Sequence, residues 1–214
     1  MANHRVSGHL GPDAVSGHVA LELANTRAGW RAESPREYLV SYDALAVWAG
    51  DNGLLSAYET RRVRSLGRSS PREAQVVLYR ALAFRESWYD VATAPWEERD
   101  FPREPLDHVA AEAASALAAS RLVPDADGRV RPDGGGLAGA GLHLPLHRAV
   151  LAAYDVLTSG DVAHVGHCAG HGCGWLFYDP SHRRHWCIMA ICGNRAKARA
   201  FAQRQRHQAG AVTA

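Results

Sequence analysis

Several things are scarce in this chain. Lysine occurs once, at Lys197, so 23 of the 24 basic residues are arginine. There are two methionines, and cysteine is absent from the first 167 residues. No stretch approaches the ~18 uninterrupted apolar residues of a membrane-spanning helix. The amino-terminal "MANHRVSGHLGPD" lacks the apolar segment of a secretory signal. These absences argue against a membrane or secreted protein and lead us to expect a cytoplasmic one. In that reducing compartment clustered cysteines serve metal or redox chemistry more often than disulfides. An enzyme is not expected: there is no nucleophile elbow, no His-Glu-x-x-His and no phosphate-cradling loop, since the glycine-rich "PDGGGLAGAG" lacks a following Lys-Ser/Thr.

What is present divides unevenly. Of the 214 residues 47% are hydrophobic, enough for a packed domain plus a small appendage. The net charge of +2 conceals a contrast. Residues 164–214 hold seven basic side chains and one acid, Asp179, while the preceding residues are net negative. Two modules are implied, with the boundary set at 1–162 and 163–214, and the basic one is suited to a polyanion.

The first module reads as mainly α-helical. "VALELANTR" (19–27) alternates like a strand, although a short helix also fits. A helix is expected after Ser41 as N-cap, ending at Asn52-Gly53 and burying Leu45 and Trp48. Another follows Ser70, with Pro71 at its first position, Glu73 completing a capping box, and a stripe at Val77, Ala81, Phe84, Trp88 and Val91. An alanine-rich helix covers 105–120. A short β-hairpin is expected about Asp127-Gly128, "PDGGGLAGAG" as a flexible loop, and a last helix with Leu146, Val150, Tyr154 and Leu157 on one face.

The four cysteines follow the spacing Cys168-x4-Cys173-x13-Cys187-x4-Cys192. Four thiolates close a tetrahedral zinc site, which makes structural Zn2+ the expected cofactor; two disulfides or a redox-active thiol site are the competing readings. Positions five apart on a regular helix are rotated by ~140° beyond a full turn, so Cys187 and Cys192 cannot both face one ion from one such helix. Cys187 is placed in a turn and Cys192 in the first turn of the helix that follows. With a short strand at 175–178, the plan is that of a treble-clef zinc finger. His167, His171, His182 and His185 are expected to be solvated or to touch phosphate.

"WCIMAICGNRAK" (186–197), with the upstream Cys168, Cys173, Trp175, Leu176 and Phe177, resembles the CGNR-type zinc finger. "LELANTR" (21–27), "LAVWAGDNGLL" (45–55), "FRESWY" (84–89) and "DVLTSGD" (155–161) are similar to landmarks of the ABATE domain that accompanies that finger, with Glu22 where Asp is more usual. The resemblance implies a helical amino-terminal domain, a carboxy-terminal treble clef and a role in stress-induced transcription regulation.

Candidate nucleic-acid contacts are Arg183, Arg184, Asn194, Arg195, Lys197, Arg199 and Arg206. On a helix from about Cys192, Arg195, Arg199 and Arg206 fall within ~40° of one another. Phe201 and Ala198 are expected to pack that helix onto the finger, and Gly193 to allow close approach to the metal loop. Asn194 is of a type that reads adenine, or alternatively bonds the knuckle backbone. The expected function is DNA-binding transcriptional regulation, with docking of an acidic protein partner as the alternative. Asn25, Arg85 and Glu86 are candidates to line a small-molecule effector pocket, or else to form a satisfied polar pair between helices. Nothing in the pattern specifies an oligomeric state.

Overall fold

The computed structural model describes residues 3–124 and 127–212, with side chains described as far as 206. In chain order the elements are β1 (Asn3–Val6), β2 (His9–Pro12), α1 (Val19–Asn25), β3 (Arg27–Ala28), β4 (Arg36–Glu37), α2 (Tyr42–Asp51), α3 (Ala57–Ser69), α4 (Pro71–Thr93) and α5 (Arg103–Ala119). There follow β5 (Leu122–Pro124), β6 (Val130–Pro132), α6 (Gly136–Ala140), α7 (Leu144–Ser159), β7 (Val165–His167), β8 (Leu176–Tyr178) and α8 (Asn194–Val212). The strands pair as antiparallel hairpins, β1–β2, β3–β4, β5–β6 and β7–β8.

Helix α1 is the hub. It packs on α7, α4 and β8, and Ala20 through Asn25 are all buried. The alternation read over 19–27 therefore does not mark a strand. A short helix enclosed on every side has no polar face to impose a 3.6-residue period. His18 caps it, accepting the Ala20 N–H through Nδ1 at 3.2 Å. Around α1, α4 packs on α5, and α5 on α7. The stripe at Val77, Ala81, Phe84, Trp88 and Val91 is buried as its spacing requires, and the Trp88 indole donates to Ala20 O at 2.9 Å.

Ser41 caps α2 as expected, its Oγ accepting the Ala44 N–H at 3.1 Å. The cap expected at Ser70 is different. Ser70 closes α3 and opens α4 at once, with φ −129° and ψ 64°, and makes no side-chain cap. The capping box lies one helix earlier: Ser56 Oγ accepts the Glu59 N–H, and Glu59 Oε2 accepts the Ser56 N–H at 2.8 Å.

"PDGGGLAGAG" is ordered rather than flexible. Asp133 Oδ1 accepts from Gly135 N at 2.7 Å and Arg121 N at 2.9 Å, and α6 follows. A Cβ on Gly135 would lie 2.7 Å from Ala119 O, so this glycine permits the close approach of the loop to the end of α5. The β5–β6 hairpin forms around Asp127-Gly128; residues 125–126 lie outside the described residues. Tyr154, expected on the buried face of α7, is exposed, while Leu146 and Val150 are buried.

Candidate metal centre and basic helix

Hairpin β7–β8 carries the first cysteine pair. Cys168 follows β7 and Cys173 precedes β8, and the turn between them is closed by Cys173 N to Gly170 O at 2.9 Å and Cys168 N to Trp175 O at 2.8 Å. A Cβ at Gly170 would sit 3.1 Å from Cys192 Sγ and 3.2 Å from Cys168 Sγ, so the knuckle has room for glycine and little else. The second pair meets the geometric requirement through an unusual turn. Met189–Gly193 winds as a π-helical turn ahead of α8, with Ile188 O accepting Cys192 N at 2.9 Å. Cys192 thus lies just before the helix begins, and the wider turn brings its sulfur to 3.6 Å from that of Cys187.

All four sulfurs lie within 4.8 Å of one another and all four cysteines are buried. With Zn–S bonds of ~2.3 Å, a regular tetrahedron has edges of about 3.8 Å. The Cys173–Cys187 and Cys187–Cys192 separations, 3.7 and 3.6 Å, match that edge, so the donor set fits zinc. Hydrogen bonds from Cys173 and Cys187 stabilise the Cys168 thiolate, with a further one from the Gly170 N–H, and lower its pKa. Cys173 and Cys187 are raised because Cys168 accepts their protons, and Cys192 is raised first by burial. A divalent cation supplies the charge that lets the remaining protons leave. When bound, zinc supplies cross-linking of the two cysteine pairs and no open position for chemistry.

The finger is built into the first domain. Asn25 Nδ2 donates to Leu176 O at 3.0 Å, and its Oδ1 accepts Leu176 N at 2.8 Å, so α1 holds β8 through one side chain. Trp30 N donates to Cys173 O, the Trp175 indole to Arg27 O, and the Tyr89 hydroxyl to Gly174 O. Arg85 is nearly enclosed. It donates to both Glu37 oxygens at 2.6 and 2.7 Å, to Thr26 Oγ1 and to Glu86, and Glu86 also pairs with Arg27. The polar groups of Asn25, Arg85 and Glu86 are therefore taken up between elements. The stack of Trp30 on Tyr89, centroids 3.7 Å apart, lies beside them and was not legible in the sequence, because its members come from distant elements.

The basic candidates divide. Arg183, Arg195, Lys197, Arg199 and Arg206 are exposed, and none has a carboxylate within ion-pair distance among the described residues. Arg184 points inward instead. Its guanidinium lies 4.5 Å over Phe177 and donates to Val15 O at 2.7 Å, Trp186 O at 3.0 Å and Cys187 O. Asn194 Nδ2 donates to Ala190 O at 3.1 Å, so its amide braces the π turn. Asp179 accepts from the Ser181 hydroxyl and from Ser181 and Arg184 N–H groups, which hold its carboxyl at about 2.

One packing expectation fails. Phe201 is 58% exposed and Ala198 is exposed; Ala196 and Ala200 form the half-buried side of α8. The methyl-sized side lets the helix sit close at its start, and from Phe201 to Arg206 every residue is exposed. Gly193 gives room, as expected, to Met189 and Trp186 of the cysteine-bearing loop. Among the histidines, His171, His182 and His185 are exposed, but His167 is packed: its Nε2 lies 2.9 Å from Arg31 Nη2 and 3.1 Å from Glu97 Oε1, and burial lowers its pKa. A cleft of about 530 Å³ separates the 29–34 loop from the knuckle and the first turns of α8, with Arg31 and Glu33 on one side and Arg195 and Arg199 on the other.

No helix of the described residues is long and apolar enough to cross a membrane. No curated protein matches the chain. The model of the CGNR zinc finger matches residues 164–205. That of the ABATE family, described as "Putative stress-induced transcription regulator", matches residues 17–160. The chain belongs to the ABATE family and carries a CGNR zinc finger at its carboxy-terminal end.

Proposed function

We propose that this protein is a zinc-dependent DNA-binding regulator of transcription, acting in the reducing cytoplasm and not as an enzyme. The observation that carries the reading is the row of exposed cations on α8 with no carboxylate in ion-pair range among the described residues, on a helix that starts at the four-cysteine cluster. Arg195, Arg199 and Arg206 share one side of that helix, and Arg183 is exposed in the preceding loop. Arginine contacts to phosphate are sequence-blind and release counterions, each contributing about 0.9 to the logarithmic salt slope.

Fluorescence anisotropy of zinc-loaded protein with a labelled duplex, across a salt series, tests this. Binding that strengthens steeply as salt falls is expected, with Arg199→Ala weakening it and lowering the slope by about one. Zinc-loaded protein that binds neither DNA nor RNA at low salt ends the proposal.

The adaptor reading draws on Asn194, whose amide is engaged with Ala190 O, leaving mainly arginines that suit an acidic protein equally well. Capture of one stoichiometric acidic protein free of nucleic acid would favour it. A small-molecule effector, on this account, enters the cleft beside Arg195 and Arg199, where it bears directly on the basic helix. A metabolite panel that leaves the melting temperature unmoved would argue against sensing.

A further inference from the structure

Helix α3, which sequence reading leaves unassigned, holds Arg61, Arg62, Arg64 and Arg68 against a single acid, Glu59. The acids nearby are already engaged. Glu59 accepts from Ser56 and from Arg148, at 2.6 Å in the latter case. Asp43 accepts two hydrogen bonds from Arg64, at 2.7 and 2.8 Å, and one from His9. Arg61 and Arg62 are exposed with no carboxylate in ion-pair range among the described residues, and Arg68 reaches only Asp43, at 3.9 Å, with its side chain 66% exposed. The net negative charge of the first domain is thus no guide to this surface.

Arg61 and Arg68 lie in line, two turns and about 10 Å apart along the axis. That span is close to the ~12 Å width of a DNA major groove, which phosphates flank on both sides. Tyr58, one turn before Arg61 and Arg62, is 59% exposed and sets a ring beside them. Exposed arginines with an aromatic ring at their side suit a nucleic-acid backbone. A membrane surface is less well matched, because the patch has no exposed Leu, Ile, Phe or Trp to insert.

We propose that the α3 face formed by Arg61, Arg62 and Arg68 is a second nucleic-acid phosphate-binding surface, separate from the finger. It rests on the nucleic-acid reading for the kind of partner, but not on the residues of α8. The test uses the full zinc-loaded chain and a labelled 20-base-pair duplex across a potassium chloride series (about two helical turns). The combined Arg61→Ala, Arg62→Ala, Arg68→Ala variant should bind at least ~10-fold more weakly and show a salt slope lower by about 2–3. The matching triple lysine variant should keep the slope, and circular dichroism should show both folded. An α3 alanine variant equal to wild type, with Arg199→Ala weakened, overturns this inference and leaves the finger reading intact. The reverse pattern supports α3 and overturns the finger as the contact. Wild-type protein that ignores DNA but binds phosphatidylserine vesicles through these arginines overturns it in favour of a lipid surface, and binding to neither polyanion overturns both proposals.

Discussion

The two cores of this molecule are made of different materials and share one wall. The larger joins aliphatic and aromatic side chains from α1, α2, α4, α5 and α7; the smaller consists of Ala28, Tyr38, Trp175, Phe177 and the four cysteines. Strand β8 divides them. Leu176 faces the helical core while Trp175 and Phe177 face the thiols, as the two-residue period of a strand requires. The helical core has enough apolar surface to hold itself together. Half of the residues of the smaller one are cysteines, so its cohesion depends on a cation, and the residues after it, including the start of α8, take their direction from that cation.

Removing the metal should therefore separate the two regions most sharply. Chelation, or Cys168→Ser, is expected to remove on the order of 10 kcal/mol from the finger. In hydrogen exchange, amides of 185–200 should lose protection while those of α4 and α5 keep it. Loss of protection everywhere would show that the cores are one cooperative unit. The complementary change, Trp88→Ala, should cost the helical core about 3–5 kcal/mol, read by denaturant unfolding, with zinc affinity little altered.

Asn25→Ala addresses the wall. It leaves both the Leu176 N–H and carbonyl without partners in a buried place, at about 1–3 kcal/mol each. The finger should then lose its structure at lower denaturant than the helices, where the zinc-loaded wild type is expected to show a single transition.

A smaller effect concerns pH. Glu22 is buried, its Oε1 accepts from Ser16, and its Oε2 has no partner. Burial outweighs the Ser16 hydrogen bonds and raises its pKa above 4.5. Because the folded state holds this proton longer than the unfolded one, the contribution stabilises at low pH and is lost as pH rises from 4.5 through the folded value. Glu22→Gln should flatten that decline in melting temperature. The smallest effect is expected at Phe201→Ala, within about 0.5 kcal/mol of wild type, because the ring is exposed.

Local signals carried the reading where one segment contains its own reason. The α4 stripe, the Ser41 cap and the cysteine spacing are of this kind. They do not reach features assembled from distant segments. Helix α1 has no periodicity because its neighbours enclose it. Arg184 reads as one more surface cation, yet Val15, 169 residues away, supplies one of its acceptors. The surface of α3 was hidden because its carboxylates are removed by Arg148 and Arg64, pairings that only the fold brings together.

Elemental analysis of the native protein, joined to X-ray absorption at the zinc edge, bears most directly on the central claim. One zinc per chain with four sulfur neighbours at about 2.3 Å is the predicted result. A metal-free protein whose finger keeps its hydrogen-exchange protection, or a zinc held by nitrogen or oxygen in place of any cysteine, would contradict it.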